Sequence, residues 1–149
     1  MQKKSISFKP APHASNEAGQ SLVELAIIFS LLLVLIAGAV NFGRAFFTYL
    51  SLRDAAQEGA AYGSIAPQND DAIIDRAYAN LLQMDIPESD LDIQVHIFGP
   101  RCMGSVIQVD VIYPDFPLTM PFIGDIFDLN TISIHATVND TILRPSTCP

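Results

Sequence analysis

The chain has 149 residues, half of them apolar, with a net charge of −8 and a pI near 4.5. An acidic balance of that size repels phosphate backbones and argues against nucleic acid as a partner. The average hides a division, because every lysine lies before residue 10 while the acids crowd the part beyond residue 65.

Residues 1–19 hold Lys3, Lys4, Lys9, Pro10 and Pro12 and have little to bury, a composition that reads as a disordered, positively charged leader. The character changes at Gly19-Gln20-Ser21-Leu22-Val23-Glu24-Leu25. No charged residue follows until Arg44, and from 25 to 40 the one polar side chain is Ser30. As a helix this run reaches about the 30 Å needed to cross a hydrocarbon core. A secretory signal has an apolar stretch of about 7 to 15 residues ending at a small-residue cleavage site. Here Ala37-Gly38-Ala39 is followed by more apolar residues and then Arg44, so a single transmembrane helix is predicted. Glu24 is the costly residue. A carboxylate near the bilayer centre costs roughly 2.5 to 3.5 kcal/mol, and less toward the interface. Either it pairs with a cation inside a helix bundle, or it sits solvated among headgroups as an acid near a helix N-terminus.

The helical pattern continues past Arg44, with no proline until Pro67. Phe42, Phe46, Tyr49, Leu52, Ala56, Ala60 and Gly63 recur at helical spacing and predict one buried face. A single helix over 21–64 would be roughly 65 Å long. Ala56, Gly59 and Ala60 form a small-residue packing seam, for neighbouring subunits or for the chain's own sheet, and Gly63 reads as a C-cap. Lys3, Lys4 and Lys9 lie on one side of the span and Arg44 and Arg53 on the other, a weak local bias. An inside N-terminus is therefore expected mainly from the acidity and the cysteines of the C-terminal part.

Asn69 should cap a second helix over 70–84, with Ile73, Ile74, Ala77, Tyr78, Leu81 and Leu82 on one face and Pro87 ending it. Alternation predicts strands over 91–98, 106–113 and 131–143, the first two joined by a hairpin through residues 99–104. The connection 114–130 carries Phe122, Ile123, Ile126 and Phe127, as a loop docked on the sheet or a patch for a partner subunit. Cys102 and Cys148 are an even pair in a small domain, which favours an external disulfide over two free thiols. His96 and His135 fall on polar strand faces, and Asp92 or Asp110 would complete a metal site there. The spacing does not demand one, and no nucleophile or phosphate-binding motif suggests catalysis or a cofactor. Asn139-Asp140-Thr141 fits a glycosylation sequon, a pattern that also arises by chance.

Ala18-Gly19-Gln20-Ser21-Leu22-Val23-Glu24 with the apolar helix behind it resembles the start of type IV prepilins, and most closely the TadE-like pseudopilins of the tight-adherence (Flp) pilus. The stretches 109–118 and 131–138 look like the C-terminal half of the same family. The resemblance implies an α+β fold: a long transmembrane helix extending into a small extracytoplasmic, pilin-like domain with one further helix and a three- to four-stranded antiparallel sheet. It divides the chain into a cytoplasmic leader (1–19), a transmembrane and protruding helix (20–64) and an outer domain (65–149). It also implies cleavage between Gly19 and Gln20 by a membrane prepilin peptidase, with Glu24 at the fifth mature position acting in assembly. The partners implied are the lipid bilayer, other pilin or pseudopilin subunits and an inner-membrane assembly platform. The implied role is non-enzymatic, in surface attachment or secretion. Major pilins commonly begin with an aromatic residue and major Flp subunits are far shorter, so Gln20 and the chain length suit a minor or initiating component. The competing readings are an unprocessed single-pass protein whose acidic outer domain binds a ligand, and a membrane-tethered enzyme.

Overall fold

The computed structural model describes residues 17–84, 86–119, 130–145 and 148. The leader up to residue 16 and the 122–127 stretch lie outside them. In chain order come helix α1 (Glu17–Ile65), helix α2 (Asp70–Leu81), and strands β1 (Asp92–Phe98), β2 (Val106–Pro117) and β3 (Thr131–Thr141). The strands form one antiparallel sheet in the order β1-β2-β3, giving an α+β arrangement. The chain divides into two compact units, Met1–Ile36 and Ala37–Pro149.

In the first unit, the described part is the opening of α1. Its apolar side chains are exposed all round, among them Leu25, Ile28, Leu32 and Leu35. A helix apolar on every side suits lipid. Ser30 Oγ donates to the Ala26 carbonyl at 2.8 Å, so even this hydroxyl is satisfied within the helix. By length and composition α1 is a candidate membrane span.

In the second unit, α1 has one buried stripe: Asn41, Thr48, Leu52, Ala55, Ala56, Gly59, Ala60, Gly63 and Ser64, with Ala45 partly buried. It lies one position away from the predicted face at its N-terminal end. Phe42, Phe46 and Tyr49 are 73%, 49% and 40% exposed, while the polar Asn41 and Thr48 turn inward. The reason is local pairing, because Asn41 meets the start of the strand connection, where Thr119 satisfies its amide. Leu52, Ala56 and Ala60 then join Ile73 and Leu81 of α2, Ile107, Val109 and Val111 of β2, and Ile134 and Ala136 of β3 in one core.

Small side chains set the helix-to-sheet distance. A Cβ on Gly59 would stand 3.1 Å from Ala77 Cβ and 3.4 Å from Val109 Cγ1. Gly63 is tighter: a Cβ there would fall 2.3 Å from Ile107 Cδ1 and 3.1 Å from Ile73 Cδ1. Gly63 is therefore not a C-cap. It is a buried helical residue over which Ile107 lies, and α1 runs on to Ile65. The Ser64 carbonyl accepts from Leu143 N at 2.7 Å, so the chain leaving β3 satisfies the helix end.

The strands differ from expectation at their ends. β1 pairs with β2 from Asp92↔Ile112 to Phe98↔Val106, so beyond Ile112 that edge of β2 has no strand neighbour among the described residues. Pro114, which has no N–H to donate, is tolerated there. β2 continues to Pro117 after an irregularity between Tyr113 and Phe116, pairing Phe116↔Ile132 and Pro117↔Thr131. β3 stops at Thr141, short of the expected Leu143, because Leu143 is drawn to Ser64. α2 ends as an α-helix at Leu81 and tightens into a 3₁₀ turn over Leu82–Met84. Asn69 caps it, its side chain accepting from Ala72 N at 3.2 Å.

Two links hold the β1–β2 hairpin turn. The Arg101 guanidinium grips Asp70 in a two-pronged pair, Nη1–Oδ1 2.6 Å and Nη2–Oδ2 2.7 Å. Cys102 is disulfide-bonded to Cys148, with Cα atoms 5.2 Å apart. Closing a 46-residue separation is worth about 4 kcal/mol on the loop-entropy account. Hydrogen bonds from Arg101 hold the Asp70 carboxyl below its ordinary 3.8, against a smaller opposing effect of burial.

Gly63→Ala should destabilise the domain by about 1–2 kcal/mol, overpacking outweighing a helix-propensity gain of about 1 kcal/mol. Adding Ile107→Val, which removes the Cδ1 methyl, should restore most of it in denaturant melts. A loss unrelieved by that second change would contradict the close approach. For Asp70, the sign follows from its lowered folded value. The pair contributes fully above pH 3.8 and its contribution disappears as pH falls through the lower folded value. Both side chains are more than a third exposed, so Asp70→Asn should cost only about 0.5–1 kcal/mol at pH 7. The gap between the melts of the two proteins should close in acid.

Candidate functional site

The residues at the start of α1 are set out by the helix alone. Gly19 lies near its start with open space where a Cβ would stand, and Gln20 follows it, exposed. Glu24 lies just over one turn further on, also exposed, and forms no ion pair among the described residues. Around it the helix exposes large aliphatic side chains, and in a bilayer a carboxylate there is costly unless neutralised.

The small-residue seam is occupied from within the chain. Ala56 and Ala60 are buried at 0% and 1% exposure, and Gly59 faces Ala77 and Val109. Of the two uses open to it, it serves the chain's own sheet and α2. Gly63, set apart as a cap in the sequence, is the tightest point of the same seam. Its spacing of four from Gly59 was the available signal.

A polar cluster that the sequence did not single out lies around Asn41. Asn41 is 3% exposed; its Nδ2 donates to the Ala37 carbonyl at 2.9 Å, and its Oδ1 accepts from Thr119 N at 2.9 Å and Thr119 Oγ1 at 3.0 Å. Arg44 Nη1 donates to Thr119 Oγ1 at 2.8 Å, and its guanidinium carbon stands 5.5 Å from the centre of the Phe116 ring. Leu118 N donates to Asn130 O at 2.9 Å, which closes the base of the connection. One hint was legible: an amide in a charge-free apolar run needs a partner.

The two histidines do not converge. His96 Nε2 is 3.8 Å from Asp110 Oδ2, whose other oxygen accepts from Thr137 Oγ1. His135 is level with Ile112 of β2, and Asp92 of β1 pairs with that same Ile112 from the other side. Among the described residues no three His, Cys, Asp or Glu side chains come together as a metal would require. Asn139 and Asp140 lie near the end of β3 and are exposed.

No curated protein and no solved structure is detectably similar to the chain. One family model matches, that of the TadE-like proteins, over residues 19–61. The match starts at Gly19, contains Glu24 and runs through Ala56, Gly59 and Ala60. Over this segment, which includes the candidate membrane span, the chain is similar to the TadE-like proteins.

Proposed function

We propose that the chain is a non-enzymatic, membrane-anchored minor pilin or pseudopilin of a Tad-type pilus or secretion machine, processed between Gly19 and Gln20. Glu24 carries the reading: an exposed carboxylate without an ion-pair partner among the described residues, at the fifth position after Gly19, on a helix apolar on every side. Cleavage by a prepilin peptidase would give Gln20 a free α-ammonium group. The ammonium of one subunit and the Glu24 carboxylate of another are matched in size and sign, and pairing them inside a helix bundle would offset the cost of taking either into lipid. Such a pair fixes axial register between subunits, which uniform apolar surfaces do not.

On this reading residues 1–19 are a cytoplasmic leader, 20–64 the transmembrane and protruding helix, and 65–149 the extracytoplasmic domain. The Cys102–Cys148 disulfide supports an oxidising environment for that domain, outside the cytoplasmic membrane, with the N-terminus inside. Its acidity fits a surface that stays soluble outside the membrane. The partners are the bilayer, other pilin or pseudopilin subunits, the peptidase and the inner-membrane assembly platform. The chain's part in adhesion is structural.

Mass spectrometry of protein recovered from the assembled complex should find Gln20 as the first residue. Glu24→Ala should leave membrane insertion intact and lower incorporation about tenfold or more, the equivalent of roughly 1.4 kcal/mol of pairing. Assembled protein that still begins at Met1 would favour an unprocessed single-pass protein with a ligand-binding outer domain. Undiminished incorporation of the Glu24 variant would remove that carboxylate from the mechanism.

A further inference from the structure

Arg44 is the first charged residue after the apolar run. It is exposed, but its guanidinium is not free to wander: Thr119 Oγ1 takes one N–H, and the Phe116 ring lies beside it. Thr119 is itself fixed by buried Asn41. No acid pairs with Arg44 among the described residues. The result is a positioned cation with donors to spare at the end of an apolar helix segment.

Beside it opens a cleft of about 360 Å³, lined chiefly by Arg44, Phe47, Met84, Ile86, Tyr113 and Phe116. Phe42, Phe46 and Phe47 stand exposed along the same stretch of α1, at 73%, 49% and 69%. One cation at the mouth of a cleft of mixed polar and apolar lining, with Phe47, Met84 and Ile86 on its apolar part and exposed phenylalanines along the same helix, matches an amphiphile with a single anionic group. A guanidinium presents a planar fork that fits phosphate oxygens better than a point charge does.

We propose that Arg44 and this cleft hold a membrane phospholipid, its phosphate on the guanidinium and part of an acyl chain against exposed Phe47, with preference for an anionic headgroup. The site rests on the reading that the apolar part of α1 lies in a bilayer. It gives the chain a lipid-dependent depth stop, separate from Glu24, where the helix leaves hydrocarbon.

The test uses the full chain purified in detergent, equilibrated with equal amounts of phosphatidylglycerol and phosphatidylcholine, with bound lipid counted by native mass spectrometry. Wild type should retain phosphatidylglycerol about fivefold over phosphatidylcholine, the ratio expected for one arginine at an anionic surface. Arg44→Gln should reduce that ratio to about one, Arg44→Lys should keep part of it, and Arg53→Gln, an exposed arginine outside the cleft, should leave it unchanged. Phe47→Ala should lower retention of both lipids while sparing the ratio, a readout that stands even if Arg44→Gln does not fold. The proposal is overturned if wild type shows no preference, if Arg44→Gln keeps it, if Arg53→Gln loses it equally, or if Phe47→Ala leaves retention unchanged. Wild-type protein released from cell membranes by alkaline wash would instead overturn the bilayer reading of α1, an outcome distinct from embedded protein without lipid preference.

Discussion

The approach of α1 to β2 sets the terms for the rest of the second unit. Gly59 and Gly63 leave no side chain between the helix backbone and Val109 or Ile107, and Ala56 and Ala60 add only methyl groups. A three-stranded sheet is marginal without something against its apolar face. Here that partner is the second half of the same helix whose first half is suited to lipid. Among the described residues the core of this unit is built on the helix, and α2 closes the remaining side through Ile73, Ala77 and Leu81.

One helix thus carries two kinds of surface, and its sequence changes accordingly. In the first unit large aliphatic side chains are exposed on all sides, and among the described residues nothing covers them. In the second unit one stripe turns small and buried, and its polar members are satisfied inside: Asn41 by Thr119 and Ala37, Ser64 Oγ by Ala61. Glu24 belongs to the first environment and Arg44 opens the second. The two charges mark opposite ends of a segment that otherwise carries none.

Much of this was legible in the residues, because it rests on local chemistry. The apolar run, the Asn69 cap and the period-two alternation of β1 and β3 each follow from neighbours in sequence. What was not legible depended on distant partners. Phe42, Phe46 and Tyr49 are apolar at helical spacing and were assigned inward, yet Asn41 and Thr48 are the buried positions, and Asn41 turns in where Thr119, 78 positions away, supplies hydrogen bonds. Gly63 near a helix end suggested a cap, and only the position of Ile107 shows it to be a contact point. The passage of β2 through Pro114 depends on where β1 ends. In the candidate assembly segment, Gly19 and Glu24 are named by the resemblance to prepilins, whereas the Arg44 cleft is assembled from three separated stretches and has no sequence signature.

Amide hydrogen exchange on the full chain in a bilayer mimetic tests most directly whether the second half of α1 is the core of the domain. Amides of residues 52–63 should exchange only with global unfolding, at the same free energy as those of residues 107–111 in β2 and with the same denaturant dependence. If 52–63 exchanged as an independent helix while 107–111 remained protected, the sheet would have a core without α1, and the helix would be an attachment to the domain instead of its centre.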